Sequence, residues 1–185
     1  SGRSKLRLKA EARYTRAASG GTGAAKTSGN YAGTLKPMAE AITEGFDQIL
    51  WLDGQTHQYA EEAGQMNVFF RIGDEVITPE LSGTILPGVT RDSVIQLLSD
   101  WGYTVSTRQV SIQELKSASD AGILNEMFGA GTAAVIAPIQ SITLHDEELS
   151  VNAPNGPELS KRLLDTILGI QHGTIADTHG WTVKI

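Results

Sequence analysis

The chain contains no cysteine among its 185 residues. This absence excludes disulfide bonds, thiolate metal sites and thiol nucleophiles together. The histidines do not replace the missing thiols, because their spacing in the sequence is not typical of a metal site. They are His57, His145, His172 and His179. We therefore expect no metal centre and no redox-active thiol.

Long apolar segments and an excess of basic residues are also lacking. No segment approaches the roughly 20 consecutive apolar residues of a membrane-spanning helix, and the opening SGRSKLRLK is too polar for a secretory signal. The formal net charge of −6 disfavours nucleic acid and anionic membranes as partners, since both attract basic surfaces. The sequence predicts a cytoplasmic protein that acts on small molecules.

Hydrophobic patterning predicts more strands than helices. With 40% apolar and 19% charged residues, the chain can bury one sizeable core. Alternating or buried apolar runs predict strands at residues 6–14, 48–52, 59–62, 67–72, 76–78, 103–110 and 133–142. Helical spacing predicts four helices. The first covers residues 31–45, the second begins at a Thr90 cap, the third begins at a capping box of Ser111 and Glu114, and the fourth follows Asn155 and Pro157. Short connections favour antiparallel neighbours, so the predicted class is α+β.

Lys26 stands out as the lysine within a glycine-dense loop, GGTGAAKTSGNYAGTL, that leads into a predicted helix. A lysine amine with an ordinary pKa of ~10.4 is rarely unprotonated at neutral pH, so a reactive lysine needs surroundings that tune it. Glycines permit the positive φ angles and close backbone approach that a cofactor requires; here they are Gly20, Gly21, Gly23 and Gly29. Two interpretations remain open from the loop alone: a Schiff-base lysine, or a surface lysine in a flexible loop.

Five segments in a fixed order decide between them. They are TRAASGGTGAAKTSGNYA (15–32), ILWLDGQTHQYAEEAGQMNVFF (49–70), SGTILPGVTR (82–91), EMFGAGTAAVIAP (126–138) and THGWT (178–182). Together they resemble the branched-chain amino-acid aminotransferases, pyridoxal-phosphate enzymes of fold type IV, from about residue 5 to residue 185. The resemblance implies that residues 1–185 form the C-terminal large domain, a pseudo-barrel of largely antiparallel strands flanked by helices. It also implies that the family's N-terminal small domain is absent from this chain.

The resemblance assigns roles to individual residues. Lys26 would form the Schiff base with pyridoxal 5′-phosphate and shuttle a proton, and Glu62 would pair with the pyridine nitrogen. The remaining cofactor contacts would come from Tyr31, Leu86, Val89, Thr90 and Thr132. In these contacts Tyr31 reaches the phenolic oxygen, Leu86 packs on the ring, and the other three residues bind phosphate. Substrate contacts would come from Tyr31, Gln65, Thr132 and the backbone amide of Ala133.

Several neighbouring polar residues are expected to stay outside the site. Adjacent strand residues point to opposite faces, so Glu61 is expected to be an ordinary solvated carboxylate when Glu62 points inward. Exposed positions are expected for Arg16, Arg71 and Arg91. The chain departs from the family pattern at Ser28, Ala63 and Gln65, and these departures bear on the substrate preference rather than on the reaction.

The resemblance implies transamination of leucine, isoleucine and valine with 2-oxoglutarate, giving branched 2-oxo acids and glutamate. Expected partners are these small molecules, the N-terminal domain of the same protein and a second copy in a homodimer. Two alternatives stay open. One is another fold type IV enzyme, a D-amino-acid aminotransferase or an aminodeoxychorismate lyase; the other is a catalytically silent domain that acts only in folding or dimerisation.

Overall fold

The computed structural model describes residues 5–154 and 156–183, and these residues form nine strands and five helices. The strands are β1 (Leu6–Glu11), β2 (Gln48–Leu52), β3 (Ala60–Ala63), β4 (Met66–Ile72), β5 (Glu75–Thr78), β6 (Thr104–Thr107), β7 (Leu124–Gly131), β8 (Val135–Leu144) and β9 (Glu147–Ser150). The helices are α1 (Ser28–Ala32), α2 (Leu35–Thr43), α3 (Val89–Asp100), α4 (Ile112–Asp120) and α5 (Glu158–Gln171). None of these helices is long and apolar enough to cross a membrane.

Six strands close into a barrel in the order β3-β2-β1-β8-β7-β4, because β3 also pairs with β4. Strand β1 runs parallel to β2 and β8, and the other neighbours within the barrel are antiparallel. Strands β5 and β6 extend the sheet beyond β4, and β9 pairs with β8. The predicted α+β pseudo-barrel of largely antiparallel strands is confirmed.

Alternation along β4 divides the core into two clusters. Val68 and Phe70 belong to a cluster built mainly from the barrel strands and α4. Phe69, between them in sequence, packs in a second cluster with residues of α3 and α5. Its ring stacks on that of Phe128, its register partner on β7, with 5.0 Å between ring centroids. The period-2 pattern of a strand therefore fills the core on both faces of the sheet.

The element boundaries correct several predictions. The strand predicted at 103–110 covers only Thr104–Thr107, and β9 was not predicted. Thr90 does not cap α3, whose N-cap is Gly88. Ser111 does cap α4, since its Oγ accepts a 3.0 Å hydrogen bond from the Glu114 amide. Asn155, placed by prediction before the last helix, lies outside the described residues.

Candidate active site

Lys26 lies in the loop between β1 and α1 and lines a cavity of about 550 Å³. Its Nζ lies 5.4 Å from the centroid of the Tyr31 ring. Within the described residues Nζ forms no hydrogen bond and no ion pair. An amine without a competing partner, facing a cavity of this size, is available to a small molecule.

Two hairpin turns bring further predicted residues to the same cavity. Gln65 lies in the β3–β4 turn, and Thr132 and Ala133 lie in the β7–β8 turn. Strands β4 and β7 are antiparallel neighbours with Asn67 opposite Ala130, so the start of β4 and the end of β7 meet at one end of the barrel. This topology unites Lys26 with three predicted substrate-binding residues that are distant in sequence.

Glu62 is a buried carboxylate on β3 with two partners. The residue is 3% exposed. Its Oε2 lies 3.1 Å from Nε of Arg16, and its Oε1 accepts a 2.8 Å hydrogen bond from the Leu86 amide. Burial raises the pKa of Glu62 to about 7, although Arg16, the Leu86 amide and Lys26 each lower it. The carboxylate is therefore poised to change charge near neutral pH.

Residues 82–88, which precede α3, contact the Glu62 carboxylate through the Leu86 amide. The carbonyl of Leu86 accepts a 2.9 Å hydrogen bond from Nδ2 of Asn67, the residue opposite Glu62 on β4. Leu86 itself is half-buried. A Cβ at Gly88 would collide with Oδ1 of Asn67, so a larger residue there would displace the Asn67 amide. Strands β3 and β4 thus fix the chain segment that leads into α3.

The N-terminus of α3 carries Val89 and Thr90. Gly88, the N-cap, gives no side-chain capping hydrogen bond, so the first amides of the helix are available to an anion. Val89 is 83% exposed. Both residues line a second cavity of about 280 Å³, which borders α5 and Trp181. The structure therefore does not bring Val89 and Thr90 into the cavity that Lys26 lines.

The expected exposure of two arginines was wrong. Arg16 is 7% exposed and its guanidinium, besides pairing with Glu62, donates to the carbonyl of Thr84. Arg91 is also 7% exposed and donates to the carbonyl of Pro79 over 3.0 Å. Arg71 is half-buried. The one signal that could have found Arg16 was the expectation that Glu62 points inward, because a charge that is buried requires an opposite charge.

Glu61 and the loop glycines also differ from expectation. Glu61 is 6% exposed rather than solvated, and it accepts a 2.5 Å hydrogen bond from Oγ1 of Thr84. Of the four loop glycines only Gly20 has a positive φ, at 77°. Gly23 makes its close approach to the backbone of Thr84, where a Cβ would lie 2.5 Å from Cα. That glycine serves packing within the chain.

Comparison with known proteins identifies the family to which the chain belongs. A family model described as amino-transferase class IV matches residues 4–142, and the chain belongs to this family. Among curated relatives, it is 50% identical over 180 residues to branched-chain-amino-acid aminotransferase 2 of Bacillus subtilis, covering 97% of this chain and 50% of the relative. It is 46% identical over 176 residues to the branched-chain-amino-acid aminotransferase of Mycolicibacterium smegmatis, covering 93% of this chain and 48% of the relative.

Solved structures give the same result. The chain superposes on the branched-chain amino acid aminotransferase of Escherichia coli with a TM-score of 0.79 and 29% identity, covering 95% of this chain and 54% of that one. It superposes on the branched-chain amino acid aminotransferase of Thermobaculum terrenum in its PLP-form with a TM-score of 0.71 and 27% identity, covering 87% and 50%. The chain spans about half the length of the relatives it matches.

Proposed function

We propose that this chain is the lysine-bearing half of a branched-chain amino-acid aminotransferase that uses pyridoxal 5′-phosphate. The observation that carries the proposal is the unpaired Lys26 amine, which lines a cavity and lies close enough to Glu62 to lower the pKa of that carboxyl. Glu62 does not itself line the cavity; it is buried and paired with Arg16. Membership of the class IV aminotransferases supports it, as do the names of relatives at about half identity. Because the chain spans about half the length of these relatives, the activity of the whole protein is itself part of the proposal.

The residues present fit the cofactor. The cavity of about 550 Å³ is within the range of small-molecule sites, ~300–1,000 Å³. When bound, pyridoxal phosphate accepts electrons from the carbon that bears the amino group. Lys26 would hold the cofactor and then carry the proton, while Glu62 would give the ring nitrogen a negative partner.

The phosphate would be held at the uncapped N-terminus of α3. The amides of Val89 and Thr90 suit an anion there, and the Thr132 hydroxyl would add a donor from the β7–β8 turn. Because Val89 and Thr90 line a different cavity from Lys26, the proposal requires the phosphate group to reach the N-terminal end of α3. Leu86 would pack on the ring and Tyr31 would meet its phenolic oxygen.

The substrate is proposed to be an amino acid or 2-oxo acid with a branched side chain. The Ala133 amide would bind its carboxylate, and Tyr31 and Gln65 would border its side chain. Gln48, which lines the same cavity as Gln65, makes that border polar. The N-terminal domain of the same protein and a second copy are the proposed partners, and a cytoplasmic location remains a prediction.

Borohydride trapping tests the proposal. The protein is mixed with pyridoxal phosphate, reduced and digested, and its peptides are mapped by mass. We expect the label on Lys26 and none in the Lys26→Ala variant, with label retained in Lys36→Ala, which alters an exposed lysine on α2. Label elsewhere, or none in the full-length protein, would contradict the assignment and favour a silent domain.

Substrate assays separate the enzymatic alternatives. Transfer from L-isoleucine, L-leucine or L-valine to 2-oxoglutarate is the expected activity. Transfer from D-alanine, or pyruvate release from aminodeoxychorismate, would instead identify one of the other fold type IV enzymes. In each case Lys26→Ala should abolish turnover, because the same amine serves all three reactions.

A further inference from the structure

Glu61 is a second buried carboxylate, adjacent to Glu62, to which the proposed chemistry gives no role. It is 6% exposed. Removing a carboxylate from water costs several kcal/mol in effective terms unless hydrogen bonds or opposite charges compensate. The contacts of Glu61 must therefore compensate for the cost of its burial.

Thr84 connects Glu61 to Arg16. Its Oγ1 donates to Oε1 of Glu61 over 2.5 Å and lies 2.7 Å from Oγ of Ser82. Its backbone carbonyl accepts a hydrogen bond from the Arg16 guanidinium. Thr84 is 6% exposed, so water does not compete strongly for either contact. One residue therefore joins the Glu61 carboxylate to the cation that pairs with Glu62.

The same short segment supplies the other partner of Glu62. The Leu86 amide, two residues beyond Thr84, donates to Oε1 of Glu62. Asn67 holds the Leu86 carbonyl, and Glu61 holds the Thr84 hydroxyl. Both contacts of the Glu62 carboxylate thus depend on where residues 84–86 lie, and two buried side chains anchor that segment.

We propose that Glu61 is a positioning residue, which holds Thr84 and thereby keeps Arg16 against the Glu62 carboxylate. The catalytic importance of this role rests on the proposed function, but its effect on the charge of Glu62 does not. The Glu61 carboxylate also acts through space: its charge raises the pKa of Glu62, while Arg16 lowers the pKa of both.

Other charged and titratable groups lie near Glu61 and Glu62, and some of them also affect the pKa values of these two carboxyls. Asp53 lies near Glu61 and raises its pKa, and Lys26 lies near Glu62 and lowers its pKa. Tyr59 and Glu80 line the small cavity beside Glu61. The exposed Glu80 is therefore a matched control for a charge change close to the cluster.

The test is a pH titration of Glu62 in the full-length protein without cofactor. NMR of ¹³C-labelled glutamate carboxyl groups monitors the titration, and the Glu62→Gln variant identifies the Glu62 signal. Thr84→Val removes the hydroxyl, and we expect the pKa of Glu62 to rise by about one unit as Arg16 loosens. Thr84→Ser keeps the hydroxyl and should restore the wild-type value. Glu61→Gln keeps an acceptor for Thr84 but removes the like charge, so the pKa should fall. Glu80→Gln should change little.

A role confined to stability would not move this titration. An unchanged Glu62 pKa in folded Thr84→Val, or equal shifts in Thr84→Val and Thr84→Ser, would overturn the proposal. If Thr84→Val does not fold, the comparison of Glu61→Ala with Glu61→Gln decides, because both remove the charge and only Glu61→Ala removes the acceptor for Thr84. A higher Glu62 pKa in Glu61→Ala than in Glu61→Gln supports the proposal, and equal values overturn it. Lys26 trapping is measured separately, so failure to bind pyridoxal phosphate with an intact titration pattern would refute the proposed function alone.

Discussion

At the scale of single residues, the candidate site is governed by the desolvation of charges. Glu62 and Arg16 are each less than a tenth exposed and pair over 3.1 Å. Burial nevertheless dominates the titration of Glu62 and raises its pKa to about 7. The folded chain therefore holds a proton that the unfolded chain releases at lower pH, and this difference couples stability to pH.

Glu62→Gln should remove that coupling. The pKa of Glu62 is about 7 in the folded chain and has its ordinary value of 4.5 in the unfolded chain. Protonated Glu62 therefore stabilises the folded wild-type protein below about pH 4.5, and this stabilisation is lost as the pH rises to about 7. Relative to wild type, the variant should gain about 2 kcal/mol of unfolding free energy between about pH 5 and pH 8. Urea unfolding of cofactor-free protein at both pH values measures it. Glu80→Gln is the control, and equal pH dependence in Glu62→Gln and wild type would refute the elevated pKa.

Gly23→Ala should destabilise the lysine loop. A Cβ at this position would lie 2.5 Å from Cα of Thr84 and 2.7 Å from Cβ of Ala17, so backbone must move, at a cost of about 1–3 kcal/mol. Gly29→Ala is the matched control, because nothing lies within 4 Å of its added methyl in α1; it should gain about 0.5–1 kcal/mol. Thermal and urea unfolding measure both. Similar effects of the two substitutions would contradict this packing.

At the scale of elements, tight turns and helix caps determine where strands and helices end. The β8–β9 hairpin turns through His145 and Asp146, whose φ angles are 47° and 67°, between the paired Leu144 and Glu147. Two consecutive positive φ angles define a type I′ turn, which favours asparagine followed by glycine. The chain therefore carries strain at an exposed turn.

His145→Asn combined with Asp146→Gly should stabilise the protein by about 1 kcal/mol, because both new residues adopt positive φ at lower cost. His172→Asn provides the control, since His172 has an ordinary φ of −93° and should change stability little. Chemical unfolding compares them. A loss of stability in the double variant would mean that the turn is not type I′.

At the scale of the whole molecule, the barrel strands β4 and β7 form the centre. Six residue pairs, from Asn67 with Ala130 to Ile72 with Leu124, join them. Helices α3 and α5 pack against one face and the barrel interior lies on the other. Strands β6 and β9 lie at the periphery and carry exposed residues. Local opening should therefore be easiest at the periphery.

Hydrogen exchange should rank the strands accordingly. We expect the slowest amides in the middle of β4 and β7, at Val68, Phe70 and Phe128, because these residues are fully buried and exchange only with global unfolding. Amides of β9 should exchange much faster through local opening. NMR-detected exchange measures both groups. Equal protection of β9 and β4 would indicate that the barrel opens as a single cooperative unit.

Local patterns predicted many elements but missed those without a strong pattern. Strand β2 was predicted at the observed Gln48–Leu52 because four of its five residues are apolar, and the structure buries all four. Strand β9 was missed because only Leu149 among its four residues is buried. The start of α3 was misassigned because Gly88 caps it and leaves no side-chain signal.

The candidate site was predictable only where residues follow a local motif. Lys26, Gln65, Thr132 and Ala133 were predicted from separate segments, and the barrel brings them to one cavity. The burial of Arg16 and Glu61 was not predicted, because their partners lie 68 and 23 residues away in the chain. Cofactor binding by these residues remains a prediction for the trapping experiment.

The sequence by itself determined the lysine loop, the family and most strands and helices, because these depend on residue types at short, regular spacing. Tertiary structure alone decided which charges meet. It places Arg16 against Glu62, ties Glu61 to Thr84, and caps α5 with the Glu126 carboxylate of β7, which accepts hydrogen bonds from the amides of Leu159 and Ser160. Such pairs join distant segments, and barrel closure both brings them together and removes the water that would otherwise solvate each charge.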